Sequence, residues 1–138
     1  MSLSPQQAQD IFSENFASWI QALGLTITDI SNSGATLVMP ITPELARVGG
    51  IVCGQALASM ADTAMVFAAF GHLQAAHPVA TTNLDTQFLR PATGEVVRCD
   101  AEIVRAGKAL MFARATMVAM PSEKIVATAT ATFYIPPK

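Results

Sequence analysis

The chain is 138 residues long, enough for one domain with a sizeable core, and a single domain over residues 1–138 is expected. It is 51% hydrophobic and only 13% charged, with a net charge of −2 and no basic block, which argues against nucleic-acid or other polyanion binding and points to apolar surface used in self-association. The first residues lack the charged and apolar regions of a secretory signal, so a cytoplasmic protein away from membranes is expected.

Ser4-Pro5 suits a helix start, Ser4 as cap and Pro5 in the first turn, and Ile11, Phe12, Phe16, Trp19, Ile20 and Leu23 supply one apolar face up to Gly24. Residues 25–30 and 35–41 alternate in the manner of strands around Ser31-Asn32-Ser33-Gly34, which predicts a hairpin. Pro40 and Pro43 end the pairing. Residues 42–50 then form a loop whose Gly49-Gly50 pair permits backbone geometry that other residues resist.

Residues 54–70 are rich in Ala, Leu, Met and Phe, hold no proline, and make four to five helical turns at about 3.6 residues each. Such a helix is apolar nearly all round and belongs in a core, and it falls short of the roughly 20 apolar residues of a membrane span. Asp62 interrupts it. A carboxylate there must find a partner, stay protonated, or face a cleft that holds water.

Residues 71–78 read as a connection and 79–89 as a strand before Arg90-Pro91. Three strands follow, over 96–105, 109–119 and 125–135. In the first of them Val97, Cys99, Ala101 and Ile103 share one face and Arg98, Asp100 and Glu102 the other. Long antiparallel strands around one buried helix make an α+β domain.

Cys53 and Cys99 belong to no CxxC or Cys/His cluster, so neither a metal site nor a cofactor is expected. Cys53, just before a helix N-terminus, is a candidate nucleophile or a small buried residue. His72 and His77 read as exposed loop residues. Thr82 and Asn83 are candidates to orient water or substrate, with strand pairing as the alternative. Met60, Met65, Phe67, Met111, Phe112 and Met117 read as core, some of them lining an apolar pocket.

The run CGQALASMADTAM, then TTNLDTQFLRPATGE and the closing ATATATFYIP, resembles the PaaI-like branch of the hotdog-fold acyl-CoA thioesterases over nearly the whole chain from about Leu25. The resemblance implies a curved antiparallel sheet wrapped around a long central helix, a homodimer or dimer of dimers, and hydrolysis of a small or medium acyl or aryl thioester. By position, Asp62 matches the family's helix carboxylate, as base or nucleophile. Gly54 matches the glycine whose backbone N–H polarises the thioester carbonyl.

Two positions depart from the family pattern. Cys53-Gly54-Gln55 stands where His-Gly-Gly is usual, and Arg47 stands where an Asn is usual, replacing a possible acceptor with a pure donor. Arg47 is expected either to pair with Asp62 or to bind an anionic substrate group. Arg47, Cys53, Gln55, Thr82 and Asn83 are therefore the substrate-binding candidates near the helix, and Arg90, Arg105 and Lys108 are the candidates for coenzyme A phosphates. A non-catalytic acyl-CoA-binding or regulatory dimer is one alternative. An enoyl-CoA hydratase is another, disfavoured because Phe67 stands where that class places its His.

Gly54, Ala58 and Asp62 form an i, i+4, i+8 ridge, and eight residues at 1.5 Å separate its ends by about 12 Å. One thioester cannot touch both ends. Two antiparallel helices related by a two-fold axis near Ala58 would bring Gly54 of one chain towards Asp62 of the other.

Overall fold

The computed structural model describes residues 2–137. Helix α1 (Pro5–Asn15) begins as expected, with Ser4 and Gln7 in a reciprocal capping box. It does not run on to Leu23. Phe16 leaves the helix in an extended conformation, and the short α2 (Ser18–Gln21) follows. One tertiary and one local contact hold the break: the Phe16 ring stacks on Phe67 with centroids 5.3 Å apart, and the Gln21 amide donates to the Phe16 carbonyl at 2.7 Å.

Strands β1 (Thr26–Ile30) and β2 (Gly34–Pro40) form the expected hairpin. The next segment is more ordered than a plain loop. A 3-10 turn over Pro43–Leu45 leads to β3 (Ala46–Arg47), which pairs with β4 (Ile51–Val52) around Gly49 and Gly50, both at positive φ. Helix α3 spans Gly54–Leu73, and β5 (Ala80–Phe88), β6 (Val96–Ala106), β7 (Leu110–Met120) and β8 (Lys124–Tyr134) complete one antiparallel sheet in the order β1-β2-β6-β7-β8-β5.

The hotdog architecture follows from two periodicities. Along β6, Val97, Cys99 and Ala101 turn inward and are buried, while Arg98 and Asp100 face outward in an ion pair at 3.1 Å. Those inward rows close over α3, whose Met60, Met65 and Phe67 are fully buried, each contributing about 1.5–3 kcal/mol of apolar burial. Phe112 departs from its expected core place: it alternates with the buried Met111 and lies on the outer face, half-buried.

Helix α3 is also one turn longer than expected, with Gly71 inside it. A Cβ on Gly71 would lie 2.1 Å from the Ser31 carbonyl oxygen, so glycine there lets α3 pack directly on the β1–β2 turn. At 20 residues α3 is long and apolar enough to cross a membrane, contrary to the shorter span read from the sequence, but 67% of its most apolar window is buried within the fold. It is the core helix.

Candidate active site

Asp62 projects from the middle of α3 into a groove of about 680 Å³. One wall of the groove is α3 itself, through Ala58, Val66 and Phe70; the other is the α1–α2 segment, through Phe16, Trp19 and Ile20. Leu84 of β5 lines it as well. Burial among these groups pushes the Asp62 carboxyl above its ordinary value, and a hydrogen bond from Thr81 Oγ1 to Asp62 Oδ1 at 3.0 Å pulls part of the way back.

Thr81 is a residue that the sequence reading missed, and the reason is a β-bulge. Between Thr81 and Asn83 the register of β5 against β8 shifts. After the bulge Leu84, Thr86 and Phe88 lie opposite Ala131, Ala129 and Ala127, which are all buried on the α3 side. Strict alternation back from Phe88 would aim Thr82 at the helix. The extra residue reverses the parity, so Thr81, opposite buried Phe133, reaches Asp62 instead. Thr82 Oγ1 donates to the Thr132 carbonyl at 3.2 Å, and Asn83 is exposed.

Gly54 lies in a second cavity of about 330 Å³, lined also by Arg47, Leu57, Phe88 and Arg90. A Cβ on Gly54 would sit 3.3 Å from the Phe88 ring, so a side chain here would crowd the approach to the helix start. The cap residue Cys53 makes no side-chain hydrogen bond to the first turn, and the amides of an uncapped helix start are donors in search of an acceptor. They carry the positive end of the helix dipole. Cys53 itself is half-buried against the core; Gln55 is exposed, and its carbonyl accepts from Ser59 at 2.8 Å.

The structure thus gathers Gly54, Arg47 and Arg90 in one place and Asp62 with Thr81 in another. Arg47 does not pair with Asp62 within the chain; its guanidinium donates to the Val48 carbonyl at 3.3 Å. Arg90 is held at the end of β5 by a 2.7 Å bond to the Ile125 carbonyl. Arg105 and Lys108 lie at the other end of the sheet, since the β6–β7 turn leads to Leu110, which is level with Tyr134 and Ala80. They reach neither cavity. None of the methionines and phenylalanines expected as core or pocket lines the groove; Val66 and Phe70 do so instead.

His72 belongs to the last turn of α3 rather than to a loop, and its Nδ1 donates to the Asn32 carbonyl at 3.2 Å. His77 Nε2 donates to the Pro136 carbonyl at 2.9 Å. Among the described residues no three His, Cys, Asp or Glu side chains gather as a metal site would require.

The sequence profile of the thioesterase superfamily matches residues 49–126, which include Gly54, Asp62, Thr81 and Arg90. A Halobacterium salinarum protein provisionally designated an esterase is 34% identical over 101 residues, covering 70% of this chain and 66% of that protein, so the match spans just under two thirds of the relative's length. A thioesterase family protein from Silicibacter pomeroyi superposes with a TM-score of 0.84 at 29% identity, over 95% of this chain and 98% of that one. PaaI, from the phenylacetic acid degradation operon of E. coli, shares the fold with a TM-score of 0.82 at 21% identity, over 96% and 92% of the two chains. With a profile match over more than half its length, at the helix and strands that carry the candidate site, the chain belongs to the thioesterase superfamily.

Proposed function

We propose that the chain is an acyl-CoA thioesterase whose site forms between two copies, with the Asp62 carboxylate of one facing the Gly54 amide of the other. The observation that carries this reading is Asp62 itself: a half-buried carboxylate, raised in pKa, held by one hydroxyl at the wall of an apolar groove. Burial that raises its pKa makes such a carboxylate a stronger proton acceptor than an ordinary one. Water attacks the thioester carbonyl carbon and gives its proton to Asp62. The oxyanion is stabilised at the Gly54 amide, and collapse of the tetrahedral intermediate expels coenzyme A thiolate, which recovers the proton. Direct attack by Asp62, forming an anhydride that water then opens, uses the same two groups.

The contacts of β5 along α3 are consistent with the same two-fold axis. On α3 the midpoint of Gly54 and Asp62 is Ala58. On β5, Phe88 marks the level of Gly54 and Thr81 the level of Asp62, and their midpoint falls between Leu84 and Asp85. Ala58 and Leu84 line the same groove, so both midpoints lie in one region. Strand β5 is an edge strand exposed along nearly all of its nine residues, and such an edge favours pairing with another strand. Arg47 and Arg90, beside Gly54, would then flank the entering thioester and offer donors to the phosphates of coenzyme A.

The test is an acyl-CoA panel with a free-thiol readout, run on the native protein and on Asp62→Ala. Release of coenzyme A that falls by two or more orders of magnitude in the variant is expected. Undiminished release by Asp62→Ala removes the carboxylate from the mechanism, binding without release indicates a regulatory acyl-CoA-binding dimer, and hydration of an enoyl-CoA indicates the hydratase class.

A further inference from the structure

The groove beside Asp62 has a direction. Asp62, Val66 and Phe70 line it at four-residue spacing on α3, so it runs along the helix for about 12 Å, the length of a straight chain of roughly ten carbons. The break after α1 builds the opposite wall, turning Phe16 in against α3 and leaving Trp19, 63% exposed, at the rim. Ala76 and Pro78 line it too; among the described residues no Lys, Arg or His does, and Asp62 is the one charged side chain in its lining.

An acyl group ending in a carboxylate would lose hydration along these walls with no described cation of the same chain to replace it. An acetyl group would leave the apolar walls to water. An arylacetyl group is too short to reach from Asp62 to Phe70. We infer that this groove is an acyl-chain subsite for neutral, straight, medium-length alkanoyl thioesters of about eight to ten carbons, with the thioester carbonyl at Asp62 and the chain running towards Phe70. The direction of the chain rests on the thioester reading above; the chemistry of the occupant rests on the walls.

Two readouts separate these. Across straight-chain acyl-CoAs from acetyl to palmitoyl, with succinyl- and phenylacetyl-CoA alongside, kcat/KM should rise about four-fold per added methylene and level off near ten carbons. Trp19 is the only tryptophan and lines the groove, so the thioether S-decyl-CoA, which cannot be hydrolysed, should shift its emission to the blue with saturation, and S-methyl-CoA should not. Val66→Phe, half-way along, should move the chain-length optimum to shorter chains. Ala76→Trp, at an exposed position on the lining, should shorten it less and avoids repacking the core.

A flat chain-length series, a preference for succinyl- or phenylacetyl-CoA, or a Trp19 emission indifferent to S-decyl-CoA overturns the assignment. A saturable Trp19 shift with no hydrolysis of any thioester upholds the groove as an alkyl site and sinks the hydrolase reading. Hydrolysis without that shift does the reverse.

Discussion

The bond from Thr81 to Asp62 can be removed alone, because Thr81→Val keeps the shape of the side chain and deletes only the hydroxyl. The lost interaction is a 3.0 Å hydrogen bond to a carboxylate, of a kind worth roughly 1.5–3 kcal/mol, and the partial exposure of Asp62 puts it at the low end. Its removal leaves desolvation unopposed, so the Asp62 pKa rises further. If the ionised carboxylate is the base, kcat/KM climbs with pH as Asp62 deprotonates, and the variant should climb later. A loss of about 1.5 kcal/mol makes it roughly ten-fold slower at a fixed pH on the rising limb. On the alkaline plateau, where Asp62 is ionised in both proteins, the two should agree within a few-fold. The assay is kcat/KM against pH from about 5 to 9. Thr82→Val is the control, since that hydroxyl bonds the Thr132 carbonyl, and its curve should follow the native one. Superimposable curves for Thr81→Val and the native protein, or a shift in Thr82→Val instead, would refute the reasoning.

Asp62→Asn should abolish hydrolysis and stabilise the fold at neutral pH. Desolvation raises the native-state pKa above the ordinary 3.8, so an ionised Asp62 costs native stability that is lost as pH rises from 3.8 through the raised value, and there is no such cost below 3.8. The melting temperature of the variant should therefore exceed the native one at pH 8 and converge on it as the pH falls. Gly71→Ala sets a gain in helix propensity of about 1 kcal/mol against a Cβ 2.1 Å from a backbone carbonyl, a clash at the upper end of the roughly 1–3 kcal/mol typical of overpacking. The clash should win, with a net loss of about 2 kcal/mol in urea unfolding. Thr86 Oγ1 is buried without a hydrogen-bond partner, so Thr86→Val should leave the melting temperature unchanged or raise it. A fall would show that the hydroxyl meets an acceptor in the assembled protein.

Patterns confined to one segment were enough to locate most elements from the amino-acid sequence alone. The Ser4 cap, the β1–β2 hairpin, the inward row of β6 and the apolar α3 with Asp62 at its centre follow from periodicities of 3.6 and 2 and from capping and turn chemistry, all settled by near neighbours in the chain. Asp62 stood out for the same reason, as one charge on an otherwise apolar helix. What depended on distant partners was out of reach. The pairing of β5 with β8 sets the bulge that gives Asp62 its bond to Thr81 rather than Thr82. The stacking of Phe16 on Phe67 breaks the first helix and opens the groove, and the β1–β2 turn requires a glycine within α3. Each of these exchanges a local preference for a contact made across the fold, and no window of neighbouring residues contains both sides of that exchange.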